Sequence, residues 1–411
     1  MISVTEKTAD DLPVPLIQVR GEPGECGTRY GVAARELIAA NLTLYLRRFR
    51  DQAGLGESEV HSCGEAFRRS TRSRLPRIAQ MLDGVAAGAD VPVAEIYALN
   101  GRTELLYGTR RTESAYGTQR PEGDVGRPDG DAGPRALDVG RADGGDGACT
   151  SIGVLGTHTA NGHLLLGQNW DWHPDQRQAM VLLATRDETG HTVLTLTEAG
   201  MLAKTGLNSA QVGVCVNMLG CDRDGLPGDG SESGVPYHVL LRAALEADTL
   251  TGALRSVCRA PRNSSINLLI GQAAEAGGEL IDLELVPGDV GWLNPVDGLI
   301  THANHLETPL PVHDTMKDWG GSTFFRSARV RRLLAAPAAQ RTITEDDLAT
   351  ALRDHASFPH SICRHVDERD APLDRSETVY SVLLDVAAGR FGLAVGPTCR
   401  HDYDWLTLDV T

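Results

Sequence analysis

The residue best placed to do chemistry is a cysteine at a junction. Residues 144–151 read Gly-Gly-Asp-Gly-Ala-Cys-Thr-Ser, so Cys149 stands where a polar, glycine-rich stretch gives way to a strand-forming run. Inside a chain, the nitrogen of a cysteine is an amide and no base. A cut between Ala148 and Cys149 would give it an α-amine with a reference pKa of roughly 7.7–8.0. That amine takes the thiol proton and the thiol attacks a carbonyl, so nucleophile and base sit on one residue. The junction alone equally describes a small buried cysteine at the start of a strand.

A second motif, Gln168-Asn169-Trp170-Asp171-Trp172, follows the next strand, 163–167. With Asn161-Gly162 as a hairpin-type turn, strands 151–155 and 163–167 pair as neighbours. The start of the first then lies beside the end of the second, and Asp171 reaches the new amine of Cys149. A carboxylate there orients the amine and tunes its pKa. In the plainer reading, Trp170 and Trp172 are core residues and Asp171 belongs to a turn.

The elements that must position these residues fall into three parts. Residues 1–111 form a mainly helical N-terminal segment: a strand at 15–19, then apolar residues at helical spacing over 30–49, 75–87 and 93–106. Residues 112–148 are dense in Gly, Asp, Arg and Pro and nearly free of large apolar side chains, which predicts a flexible linker. Residues 149–411 read as strands, several separated by turn signals, at 151–155, 163–167, 180–185, 192–198, 212–218, 266–270, 280–286, 379–386 and 391–395. Helical spacing appears at 235–246, 250–258, 324–335 and 345–355. Strand runs followed by helices and more strands predict an α+β fold, antiparallel sheet covered by helices.

These motifs resemble the acyl-coenzyme A:6-aminopenicillanic acid acyltransferase family. The match rests on Gly147-Ala148-Cys149-Thr150-Ser151 and Gly167-Gln168-Asn169-Trp170-Asp171. It continues through Gly21, Gly27 and Gly31, 82–88 (Leu-Asp-Gly-Val-Ala-Ala-Gly) and 99–104 (Leu-Asn-Gly-Arg-Thr-Glu). Further on come Ser265-Ile266-Asn267, Leu283-Glu284, Thr301-His302-Ala303-Asn304-His305 and Phe325-Arg326-Ser327-Ala328-Arg329. Each motif is short; their order across nearly the whole chain carries the resemblance.

The resemblance implies a four-layer αββα Ntn-hydrolase sandwich. It implies a precursor that cuts itself between Ala148 and Cys149 and keeps the prosegment, residues 1–111, as a subunit. It makes Cys149 the nucleophile, its amine the base, Asp171 the holder of that amine, and Asn267 the donor to the oxyanion. Arg326, with Arg329 competing for the same alignment, falls at a pocket position. Asn304, Glu284, Gln168 and Asn169 fall around the site, Glu284 as scaffold. Gln168 stands where many cysteine relatives have arginine, as in the penicillin-acylating branch, which weakens a carry-over to bile-salt or ceramide-type amidases.

The expected activity is acyl transfer or amide hydrolysis through an acyl-cysteine, on a small N-acyl or acyl-thioester substrate. Acyl-coenzyme A or an acyl carrier protein would be an admissible donor and an amine the acceptor, with no cofactor. Two alternatives stay open: a hydrolase of N-acyl amides or β-lactam-like compounds without transfer, and an inactive Ntn-fold binding protein. The net charge of −16 over 411 residues argues against a nucleic-acid partner. The N-terminus lacks a basic start with an apolar run, and no stretch approaches the roughly 18 apolar residues of a membrane helix. A cytoplasmic protein is expected. Eight scattered cysteines without Cys-x-x-Cys predict free thiols. His360, Cys363 and His365 lack a second half at zinc spacing, so no metal is expected.

Overall fold

The computed structural model describes residues 2–4, 12–108, 148–227 and 233–409. Of the expected linker, only Ala148 lies within them. The strands are β1 (Ile2–Val4), β2 (Leu16–Arg20), β3 (Cys149–Val154), β4 (Leu165–Trp172), β5 (Met180–Arg186), β6 (Thr192–Glu198), β7 (Thr205–Asn208) and β8 (Val212–Met218). Beyond them come β9 (Ile266–Gln272), β10 (Glu279–Val286), β11 (Asp289–Leu293), β12 (Leu299–His302), β13 (Glu377–Asp385), β14 (Arg390–Val395) and β15 (Asp404–Leu408). Among the described residues they form two sheets, ordered β1-β15-β14-β13-β4-β3-β12 and β11-β10-β9-β8-β7-β6-β5-β2.

Period-two burial explains the stacking. On β5, Val181 and Leu183 join the core beneath the N-terminal helices, while Met180 and Leu182 join the core between the sheets. On β9, Leu268 and Ile270 face the helices and Leu269 faces the other sheet. Strands buried on both faces need a layer on each side. One outer layer is α1 (Pro23–Ala33), α2 (Arg35–Asp51), α3 (Glu57–Arg74), α4 (Pro76–Ala89), α5 (Val93–Asn100) and α6 (Arg102–Tyr107), together with α7 (Tyr237–Leu245) and α8 (Leu250–Cys258). After the short α9 (Met316–Trp319), α10 (Thr323–Gln340) and α11 (Glu345–Leu352) cover the other side through Val330, Leu334, Leu348 and Leu352. The result is the expected α+β sandwich in four layers, αββα. No helix among the described residues is long and apolar enough to cross a membrane.

The N-terminal segment is woven into this sandwich rather than folded apart. β2 extends the eight-stranded sheet, parallel to β5, and β1 pairs with β15. The apolar pattern over 30–49 is split at Ala34, which leaves the helical region. That over 93–106 is split at Gly101. The glycines that marked the N-terminal motifs let α1 and α4 touch backbone to backbone. A Cβ on Gly27 would lie 2.0 Å from the Met81 carbonyl oxygen, and one on Gly88 would lie 2.1 Å from that of Thr28. β3 and β4 are antiparallel neighbours, with Cys149 opposite Trp170. Asn161-Gly162 is not their two-residue hairpin turn, because the register pairs Val154 with Leu165 and leaves 155–164 as the connection.

Candidate active site

Cys149 opens β3, buried, with its side chain in the core between the sheets beside Trp170 and Trp172. The peptide before it is held at both ends. The Asp171 N–H donates to the Ala148 carbonyl (2.8 Å), and the Cys149 N–H donates to Asn304 Oδ1 (2.7 Å). Arg326, from the first turns of α10, donates to the Cys149 carbonyl, to Thr150 Oγ1 (2.8 Å) and to Asn304 Oδ1 (2.7 Å). A planar guanidinium suits such fixed multiple donation. Arg329, three residues on, turns outward to Asp354 (2.7 Å). The helix register thus separates the two arginines that the sequence left competing.

Successive residues on a strand face opposite ways. Trp170 faces Cys149, so Asp171 faces the α10–α11 side. There its carboxylate accepts from Thr378 Oγ1 (2.7 Å) and lies 3.8 Å from Arg364 Nε. In this uncut chain the acceptor on the Cys149 nitrogen is therefore Asn304, not Asp171. Burial lifts the Asp171 carboxyl to about 6, against the pull of Arg364, Arg326 and Thr378. Burial, and then Asp171, also push the Cys149 thiol up; the Met218 N–H, Lys204 and Arg326 oppose them.

Asn267, expected to face the oxyanion, points between the sheets but is committed elsewhere. Its amide donates to Asp282 Oδ1 and to the Leu283 carbonyl (3.3 Å), and its oxygen accepts from Asn217. Asn217 in turn reaches Ser151 Oγ (2.8 Å), two residues beyond Cys149 on the same face. Glu284 is buried at the back of this chain, accepting from His302 Nε2 (2.9 Å) and the Glu307 and Thr308 N–H groups. It braces the loop that carries Asn304. Burial works against its charge, yet the His302 bond and its other donors hold its carboxyl below the usual range.

Gln168 fills a gap in the second sheet. β7 pairs with β8 only at Val214 and Gly213, so the next backbone groups along that edge of β8 lack a strand partner. The Gln168 amide takes both groups of Val216, donating to its carbonyl and accepting from its N–H. One step further along the edge, the Met218 N–H meets the Cys149 thiol. Asn169 faces the helices and donates to the Leu352 and Ile362 carbonyls (2.8 and 2.9 Å).

Beside this edge lies a pocket lined by Cys149, Trp170, Trp172, Lys204, Arg102 and Tyr237, with Val216 and Met218. Its charges went unrecognised in the sequence. Lys204 Nζ lies 2.6 Å from Glu198 Oε1 and 3.4 Å from the centre of the Trp170 ring. Arg102, from the N-terminal segment, donates to the same Glu198 oxygen (3.1 Å) and lies over Trp172 at 4.5 Å. Tyr45 OH completes the carboxylate at 2.5 Å. Burial opposes the Glu198 charge, but Arg102 and Lys204 hold its pKa well below the usual range. Two cations share one anion, so burial and then Arg102 bring the Lys204 ammonium down to about 7. The sequence signal was a charge ending each of two otherwise apolar runs, at Glu198 and at Lys204. The 99–104 motif is explained too: Asn100 binds the Gly200 carbonyl (3.0 Å), and Glu104 accepts from the Tyr237 N–H (2.6 Å) at the start of α7.

If the chain is cut before Cys149, Asn304→Ala should slow that cut about tenfold or more. It strands a buried N–H and one arm of Arg326, at a cost of about 1–3 kcal/mol. A time course of fragment appearance checks this, and an unchanged rate would remove Asn304 from the site.

A family model described as acyl-coenzyme A:6-aminopenicillanic acid acyl-transferase matches residues 157–398, more than half of the chain. Asp171, Lys204, Asn267, Asn304 and Arg326 lie inside that stretch; Ala148 and Cys149 lie just before it. A curated relative from Emericella nidulans, the acyl-coenzyme A:6-aminopenicillanic-acid-acyltransferase 40 kDa form, is 27% identical over 372 residues, covering 90% of this chain and 89% of that protein. Among solved structures, a mutant of the conjugated bile acid hydrolase from Clostridium perfringens has a TM-score of 0.41 at 10% identity, covering 60% of this chain and 89% of its own. The Caenorhabditis elegans orthologue of N-acylethanolamine-hydrolyzing acid amidase has 0.40 at 15%, covering 58% and 93%.

Proposed function

The chain belongs to the acyl-coenzyme A:6-aminopenicillanic acid acyl-transferase family, and from that premise we propose that it cuts itself before Cys149 and then moves acyl groups through that cysteine. The observation that carries this reading is the Ala148–Cys149 peptide, anchored at its carbonyl by Asp171 and at its nitrogen by Asn304, with the thiol in a pocket. In the first stage Cys149 Sγ attacks the Ala148 carbonyl carbon. The thiol proton passes to the Lys204 amine, which a value near 7 makes available at neutral pH. Charge on the carbonyl oxygen is met by the Asp171 N–H, a fixed donor of the kind worth about 2.7–4 kcal/mol in a barrier. The C–N bond breaks, the nitrogen takes up a proton, and water hydrolyses the resulting thioester, leaving a carboxylate on Ala148.

In the second stage the freed α-amine, oriented by Asn304 Oδ1, takes the thiol proton. The thiolate attacks an amide or thioester carbonyl, whose leaving amine or thiol departs with a proton. In this scheme the Met218 N–H, which meets the thiol, receives the oxyanion, while Asn267 keeps Asn217 against Ser151. The acyl-Cys149 is then released to water or to an amine. Acyl-coenzyme A or an acyl carrier protein as donor, and a small amine as acceptor, suit this scheme; Arg102 and Lys204 give the pocket cationic character beside two indole rings.

Trapping tests the reading. Acid quenching during turnover of an N-acyl amide or acyl-thioester should leave the acyl mass on the peptide that begins at Cys149. Adding an acceptor amine should divert product from the free acid to the new amide if the enzyme is a transferase, and leave product unchanged if it is a hydrolase. No acyl mass on that peptide, or an acyl mass elsewhere, refutes the mechanism. Peptide-level assignment separates Cys149 from the exposed Cys399.

A further inference from the structure

The sequence set His360, Cys363 and His365 aside as a metal grouping for want of a second half. The fold supplies one. His360 turns away toward Asp367 (3.5 Å). Cys363 and His365 instead meet His355, just past the end of α11, and Cys399, in the turn after β14; the four donor atoms all lie within 4.8 Å of one another. His365 Nε2 is 3.2 Å from His355 Nε2, 3.7 Å from Cys363 Sγ and 3.4 Å from Cys399 Sγ. A ring nitrogen has one hydrogen-bonding position, either a proton or a lone pair. It cannot satisfy three such neighbours at once, whereas one cation at their centre satisfies all four.

We propose that His355, Cys363, His365 and Cys399 bind a structural zinc ion. Zinc takes sulfur at about 2.3 Å and imidazole nitrogen at about 2.0–2.1 Å in a tetrahedron, whose edges are then about 3.3–3.8 Å. The distances to His365 fall close to those edges. Two thiolates and two neutral imidazoles without a carboxylate select zinc over calcium or magnesium, and four protein ligands close the site to substrate. On binding, the two thiols release their protons to solvent, and the ion's two positive charges balance the two thiolates.

The ion would join three segments, one of which reaches the active site. Arg364, between two of the ligands, donates its N–H to Thr378 Oγ1 (2.9 Å), and that hydroxyl donates to Asp171. The Cys399 turn is tied to the end of α11, where Thr398 Oγ1 donates to the Leu352 carbonyl (3.0 Å). Zinc at this point would hold the loop that presents Arg364 to Asp171 and ties it to Thr378 on β13.

Metal analysis decides the matter independently of the acyl chemistry. Tag-free protein from zinc-supplemented cells, dialysed exhaustively, should carry about one zinc per chain. Cobalt(II) exchanged into chelator-treated protein should give the visible bands of a tetrahedral thiolate site. His355 and Cys399 are exposed, so the double variant His355→Ala/Cys399→Ala should fold, by circular dichroism, while zinc content falls at least about tenfold. Cys363→Ser should abolish the cobalt–thiolate bands. Folded wild-type protein without zinc or cobalt bands would overturn the proposal. So would full zinc retention in the double variant, or an intact mass two hydrogens light from a Cys363–Cys399 disulfide.

Discussion

A Cys149→Ala protein should stay a single 44.0 kDa chain, while the parent separates into pieces ending at Ala148 and beginning at Cys149. Acyl turnover should fall on the order of 10⁴-fold or more, the scale seen when a nucleophile is deleted. The fold should persist. Removing one sulfur from the space between the sheets leaves the β3–β4 ladder, the Asn304 contact and the Arg326 clamp in place, since all three use the backbone of residue 149. Intact mass and a rate assay on the same sample check both halves. Cutting at Ala148 in the alanine variant, or full activity in an uncut parent chain, would defeat the proposed function.

Glu198→Ala should destabilise the protein by about 3–5 kcal/mol, the cost of leaving a buried charge without its partner. Lys204→Met should cost much less, because it leaves one cation, Arg102, facing one anion. The asymmetry follows from the count around Glu198: Arg102, Lys204 and Tyr45 converge on a single carboxylate in a fully buried site. Urea unfolding of both variants measures it, and equal losses would refute the cluster as described. Lys204→Met should nonetheless slow self-cutting, since it removes the proposed proton acceptor. The pH dependence has a definite sign. Lys204 is held at about 7, below its ordinary 10.5, so the folded chain binds this proton more weakly than the unfolded one. Its contribution to stability is lowest below about pH 7 and rises between there and 10.5. Lys204→Met should flatten the stability curve in that window.

Much of the architecture was legible because it is written in local spacing. Short apolar runs between turn signals marked most strands, helical spacing marked most helices, and the α+β layering followed. The missed strands β1, β7, β11, β12 and β15 are only three to five residues long, too short to stand out in the sequence. The helix α3 was missed because its buried stripe of Val60, Cys63 and Phe67 lies among charged residues. Cys149 and the motif ending at Asp171 were found because β3 and β4 are sequence neighbours that also pair. The turn assigned to Asn161-Gly162 was wrong in register yet right about which strands meet.

What the sequence by itself determined was the cysteine at the head of one strand, the strand that ends beside it and the layered order of strands and helices, since each depends on residues a few positions apart. Tertiary structure alone decided what surrounds them. Asn304 takes the Cys149 nitrogen because β12 lies beside β3. Arg102 and Lys204 share Glu198 because the N-terminal helices pack on the second sheet. Cys399 joins His355, Cys363 and His365 because the turn after β14 closes over the end of α11. Pairing within a strand or hairpin is encoded by side-chain period, but convergence of segments far apart in the chain is set by how whole layers pack, and no short spacing records it.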